Sequence, residues 1–92
     1  MRTKSRTDAN QPEIVDALRA VGASVQDLHK VGGGCPDLLV AYHGFNVLIE
    51  VKNIQGLNRL GEDQREWIDK WRGPVVVVRS VDEALAAIGV RS

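Results

Sequence analysis

The chain has 92 residues, of which 43% are hydrophobic and 26% charged, and its 12 basic and 12 acidic side chains cancel to zero net charge. This is the profile of one ordinary globular domain, and it leaves any case for nucleic acid to local patches rather than to global charge. A lone cysteine, Cys35, excludes an internal disulfide and a cysteine-rich zinc site and suits a reducing compartment.

Residues 1–9, with Arg2, Lys4 and Arg6, read as a flexible basic tail, and 10–92 as a single domain. Asn10-Gln11-Pro12-Glu13 opens a helix: Asn10 can cap, Pro12 suits the first turn, and Glu13 stands where a capping-box acid would. Ile14, Ala17, Leu18 and Val21 follow at helical spacing, and Gly22 ends the run. Ser24–Leu28 is a short strand candidate, and Gly32-Gly33-Gly34 a loop. Asp37–Tyr42 and Phe45–Asn53 give the clearest strand signals, with His43-Gly44 between them as a two-residue hairpin turn. After a loop over Ile54–Gly61, Glu62–Arg72 is a helix with Gln64, Trp67, Ile68 and Trp71 on one stripe. Val75–Val78 reads as a strand buried on both faces. Ser80-Val81-Asp82-Glu83 is a second capping box, opening a helix with Val81, Ala84, Leu85 and Ile88 on its apolar face. The order is α-β-β-β-α-β-α.

A turn centred on His43-Gly44 sets Tyr42 opposite Phe45, Val40 opposite Val47, Leu38 opposite Ile49 and Asp37 opposite Glu50. Lys52 follows Glu50 by two residues, so strand alternation puts it on the same face. The opposite face is apolar throughout. Taken alone, Glu50 and Lys52 read as a solvated surface pair of little consequence. Asp37 changes that reading, because two opposed carboxylates repel unless a proton or a cation lies between them. Hard divalent cations take such oxygen ligands, and a neighbouring ammonium can stabilise charge on an attacked phosphate.

Pro36-Asp37, twelve further residues and Glu50-Val51-Lys52 together resemble the PD-(D/E)XK nuclease signature. The longer stretch GGGCPDLLVAYHGFNVLIEVKN, followed by Asn58-Arg59-Leu60-Gly61-Glu62-Asp63-Gln64, is similar to the virus-type replication-repair nuclease (VRR-NUC) family, over about Glu13 to Val78. The small size suggests a stand-alone member of the kind found in bacteriophages. The resemblance implies an α/β fold, a restriction-endonuclease-like core with a mixed sheet and flanking helices. It implies that Asp37 and Glu50 are metal-binding acids, that the Val51 backbone carbonyl is a third ligand, and that Glu13 completes the shell. Lys52 matches the catalytic lysine, and Gln64 the glutamine on the helix after the hairpin. Without the resemblance, Glu13 reads first as the capping-box partner of Asn10. Gly61 stands where the family tends to have Ser or Thr, and glycine is an acceptable cap.

The remaining candidates are less specific. Gly32-Gly33-Gly34 lacks the following Gly-Lys-Ser/Thr of a P-loop, so no nucleotide cofactor is expected. Cys35 reads as a small packed residue, and His29 and His43 as surface residues. Lys30, Gly33, Arg59 and Arg65 flank the site as candidate DNA contacts, and surface solvation explains the cations nearly as well. The expected activity is hydrolysis of DNA phosphodiester bonds with Mg²⁺, for which Mn²⁺ substitutes. The expected substrate is a four-way (Holliday) junction cut by a homodimer. The alternatives are a flap, nick or duplex nuclease of the same fold, and a non-catalytic DNA-binding module. No apolar run approaches the ~20 residues of a membrane span, and the N-terminus lacks the apolar core of a signal peptide. An intracellular, cytoplasmic protein is expected, in the host cytoplasm if a phage encodes it.

Overall fold

The computed structural model describes residues 9–53 and 60–90. All but Ala9 of the expected basic tail, and Arg59, lie outside the described residues. The elements are α1 (Gln11–Ala20), β1 (Ser24–Asp27), β2 (Leu38–Tyr42), β3 (Phe45–Val51), α2 (Glu62–Lys70), β4 (Val75–Val78) and α3 (Val81–Ala87). This is the expected α-β-β-β-α-β-α order. No described helix is long and apolar enough to cross a membrane.

The four strands form one mixed sheet in the order β1-β2-β3-β4, antiparallel until β4 joins β3 in parallel. The hairpin between β2 and β3 fixes everything near it. His43 and Gly44 both take positive φ, 49° and 79°, as a tight turn matched to strand twist requires. The pairing runs Tyr42 to Phe45, Val40 to Val47 and Leu38 to Ile49, as the turn predicts.

One sheet face presents Leu38, Val40, Val47, Ile49, Val51 and Val78 to α1 and α3. Ile14 and Leu18 of α1, with Ala84 and Ile88 at α3, close this core. Burying each large aliphatic side chain contributes roughly 1.5–3 kcal/mol, so this layer supplies most of the driving force for folding. The other face is covered only in part. No residue of α2 is fully buried, and Leu39 and Trp71 on that side are 40% and 47% exposed. The expectation that β4 is buried on both faces is therefore corrected: Val75, Val76 and Val77 are half-buried and only Val78 is buried. The cause is topological, because β4 is an edge strand and α2 shields its outer face incompletely.

The first helix also departs from expectation. The Asn10 side chain makes no cap hydrogen bond, so the Asn10–Glu13 capping box is absent. The second box does form in part, with Ser80 Oγ accepting from the Glu83 N–H at 3.1 Å, while Glu83 turns its carboxylate to the Arg79 N–H at 2.7 Å.

The glycine loop docks against the start of α2. Gly34 has φ +92°, and a Cβ there would overlap the main-chain carbonyl of Asp63. Nothing lies within 4 Å of the corresponding position at Gly33. Gly33→Ala is therefore expected to cost about 1–2 kcal/mol from its left-handed backbone alone. Gly34→Ala should cost more, because α2 must also shift, and urea unfolding of the two variants measures the difference.

Candidate active site

β2 and β3 carry the acids to one end of the sheet. Continued one step past Leu38–Ile49, the ladder sets Asp37 opposite Glu50. Asp37 also reaches across to the next residue, accepting the Val51 N–H through Oδ2 at 2.8 Å. Glu50 is 2% exposed, a charged side chain enclosed on the face beneath α2. Its Oε2 lies 3.3 Å from Lys52 Nζ, and the lysine side chain is itself 11% exposed.

Gln64 ties the helix to this edge. Its Nε2 donates to Glu50 Oε2, and its Oε1 accepts from Lys52 Nζ at 3.0 Å. The same Oε1 accepts the Gly61 N–H at 3.0 Å, which satisfies a free amide at the head of α2. One amide thus holds the acid, the ammonium and the helix start. Gly61 serves as N-cap with no side chain, so Gln64 supplies that contact from the third helical position.

The charge state of Glu50 follows from its surroundings. Burial, then the facing Asp37 charge, pushes its carboxyl up from 4.5 to about 7, against the opposing pull of Lys52 and Gln64. Desolvation wins because a buried carboxylate loses its water on nearly every side. The neighbouring Cys35 thiol is also raised, by burial first and then by Glu50 and Asp37. Cys35 is thereby kept as an uncharged thiol, a packed residue as its sequence suggests.

A cleft of about 470 Å³ opens onto the site, lined by His29, Gly34, Cys35, Asp37, Gly61 to Asp63 and Gln64. Asp37 and Gln64 line it and the enclosed Glu50 does not. His29, read from sequence as a surface residue, belongs to this lining, with its N–H held by Asp27 Oδ1 at 2.7 Å. A second, apolar cleft of about 420 Å³ lies between the sheet and the stacked Trp67–Trp71 pair, whose ring centres are 4.6 Å apart.

The remaining expected residues that the structure describes, Glu13, Lys30, Gly33 and Arg65, are all exposed. Glu13 is exposed, and among the described residues no group of three His, Cys, Asp or Glu is placed to hold a metal ion. The reason is helical phase: Gln11, Ile14 and Leu18 form the buried side of α1, and Glu13 lies about 200° round from Gln11. Gln11 itself, 4% exposed, was legible in the same spacing. Lys30, Gly33 and Arg65 are exposed, and Arg65 makes one long contact of 3.5 Å to the Leu60 carbonyl.

The residues do fit a divalent cation in their chemistry. Two adjacent carboxylates, one driven to hold a proton by burial first and by its neighbour's charge second, are an oxygen-donor pair that a cation could occupy in the proton's place.

A family model described as the VRR-NUC domain matches residues 2–82, and the chain belongs to that family. No curated protein and no solved structure matches the chain. Membership makes the chain a nuclease domain and DNA its partner.

The acid's raised affinity for protons has a measurable consequence. Between pH 4.5 and about 7 the folded chain holds a proton on Glu50 that the unfolded chain has released. Stability therefore falls as pH rises through that window and the loss is complete above it. Glu50→Gln removes this dependence. In EDTA the variant should match the native chain near pH 4.5 and exceed it above about 7, by on the order of 2–3 kcal/mol. Urea midpoints at the two pH values check the sign.

Proposed function

We propose that this member of the VRR-NUC family is a Mg²⁺-dependent endonuclease that resolves branched DNA, with the four-way junction as preferred substrate and a homodimer as the active form. The observation that supports it best is the enclosed Glu50 carboxylate, facing Asp37 and touching both Lys52 and Gln64.

Asp37, Glu50 and the backbone carbonyl of Val51 would hold the cation. Once bound, Mg²⁺ (or Mn²⁺ in its place) supplies a water of lowered pKa and neutralises phosphate charge. Asp37 keeps the Val51 peptide in place through its hydrogen bond to the Val51 N–H, so acid and carbonyl are positioned together. Lys52 stands 3.3 Å from Glu50, where its ammonium can orient the attacking water and stabilise charge gathering on the phosphate. Gln64 holds Lys52 and Glu50 at a fixed separation, so neither side chain need be ordered during the reaction.

Exposed Lys30 and Arg65 could meet the phosphate backbone, which positions DNA without reading its sequence. A chain with one site cuts one strand, and resolving a junction requires two cuts. A two-fold dimer matches the symmetry of such a substrate.

Cleavage of labelled four-way junction, flap and linear duplex separates the readings. Junction cutting in Mg²⁺ is expected, with none in EDTA. Asp37→Ala and Lys52→Ala should each lower the rate by about 10²–10³-fold, the usual effect of losing a charge-stabilising group. Sedimentation should show a dimer. Cleavage indifferent to both substitutions would remove the site assignment, and preference for flap or duplex would remove the junction.

A further inference from the structure

Asn10 occupies the position before α1 where a side-chain cap would be expected, yet it caps nothing. Its Nδ2 instead donates to two main-chain carbonyls, Lys52 at 3.1 Å and Arg79 at 3.0 Å. These are the first residues beyond β3 and β4, the parallel pair at the heart of the site. At those points the sheet ladder ends, and each carbonyl must find another donor. A primary amide carries two N–H groups on one atom, so a single side chain can serve both.

Lys52 is thereby held from both sides. Its N–H donates to the Val78 carbonyl at 2.9 Å, and its own carbonyl accepts from Asn10. The next carbonyl, of Asn53, accepts from Arg79 Nη1 at 3.3 Å. Among the described residues the other half of the amide is unused: Asn10 Oδ1 is buried and finds no hydrogen-bond partner there. A buried unpaired acceptor is costly. The residue is therefore matched to the two carbonyls rather than to its own full satisfaction.

We infer that Asn10 is a positioning residue of the nuclease site, acting through Lys52. It ties the start of α1 to the exits of β3 and β4 and so fixes the direction in which the lysine side chain leaves the sheet. Without it, the Lys52 peptide is anchored among the described residues only at its N–H, and Nζ loses its fixed placement against Glu50 and Gln64. This inference rests on the nuclease reading above.

The experiment compares Asn10→Ala with Val25→Ala, a destabilising control on β1 away from the site. Junction cleavage in Mg²⁺ and thermal unfolding are measured for each, in the native and Lys52→Ala backgrounds. Asn10→Ala should lower kcat by about 10–100-fold, as small misplacements of reacting groups do. KM should stay within about twofold, and Val25→Ala should retain native kcat at similar thermal stability. In the Lys52→Ala background Asn10→Ala should cost less than about twofold more, because its route of action is gone. An unchanged kcat, or the same fractional loss in both backgrounds, overturns the inference. A second readout does not need activity: the Gln64 side-chain amide signals in a ¹H–¹⁵N spectrum should shift and broaden in Asn10→Ala and not in Val25→Ala. If the native chain cuts nothing, the nuclease reading falls, and these signals alone decide the clamp, with an unmoved pair refuting it.

Discussion

The structure turns on one carboxylate. Glu50 is held out of water, opposite another acid, at the end of the central strand. A carboxyl group in that place must take a proton, pair with a cation or be hydrogen bonded, and this one is arranged for all three. Lys52 and Gln64 supply the charge and the donor, and the push toward about 7 keeps a proton within reach. The hairpin exists in the register that faces the two acids, and α2 is docked so that Gln64 covers them. β4 lies parallel to β3 so that the two strand exits stand side by side. Few of these features are explained by stability, since enclosing Glu50 opposes folding wherever it is ionised.

The two sheet faces divide the work. The face under α1 and α3 is aliphatic, closed and dry, and it fixes the strands. The face toward α2 is half open and holds the Glu50–Lys52–Gln64 cluster, with no residue of that helix fully buried. α2 is held in part by polar contacts at its first turn, where Gln64 meets Lys52, Glu50 and Gly61, and where Gly34 lies against Asp63. A nuclease edge that must admit DNA cannot be sealed like a core.

Much of this was legible in the amino-acid sequence, for identifiable reasons. His43-Gly44 is a turn with one natural register, so the Asp37–Glu50 pairing followed from counting. Gln64 shares a stripe with two tryptophans, which announced an amide pointing inward toward that edge. What failed to show was set by geometry beyond the reach of local pattern. Asn10 and Glu13 have the spacing of a capping box, and only tertiary contact reveals that the asparagine spends its amide on strands 42 and 69 residues away. Four consecutive valines suggest a central strand, but nothing in them encodes that β4 ends the sheet. Glu13 was assigned by resemblance, and the helical phase set by Ile14 and Leu18 leaves it on the exposed side of α1.

The most direct test of the central claim is a calorimetric titration of Mn²⁺ into the protein in two buffers of different ionisation enthalpy, repeated across pH 5.5 to 8.5. If a proton and a cation compete for the enclosed acid, each ion bound below about pH 7 releases a proton from Glu50, and affinity rises with pH until that release ceases. Glu50→Gln should abolish the release and most of the affinity. Binding that is independent of pH and unchanged by Glu50→Gln would contradict the claim that this carboxylate is built to receive a metal ion.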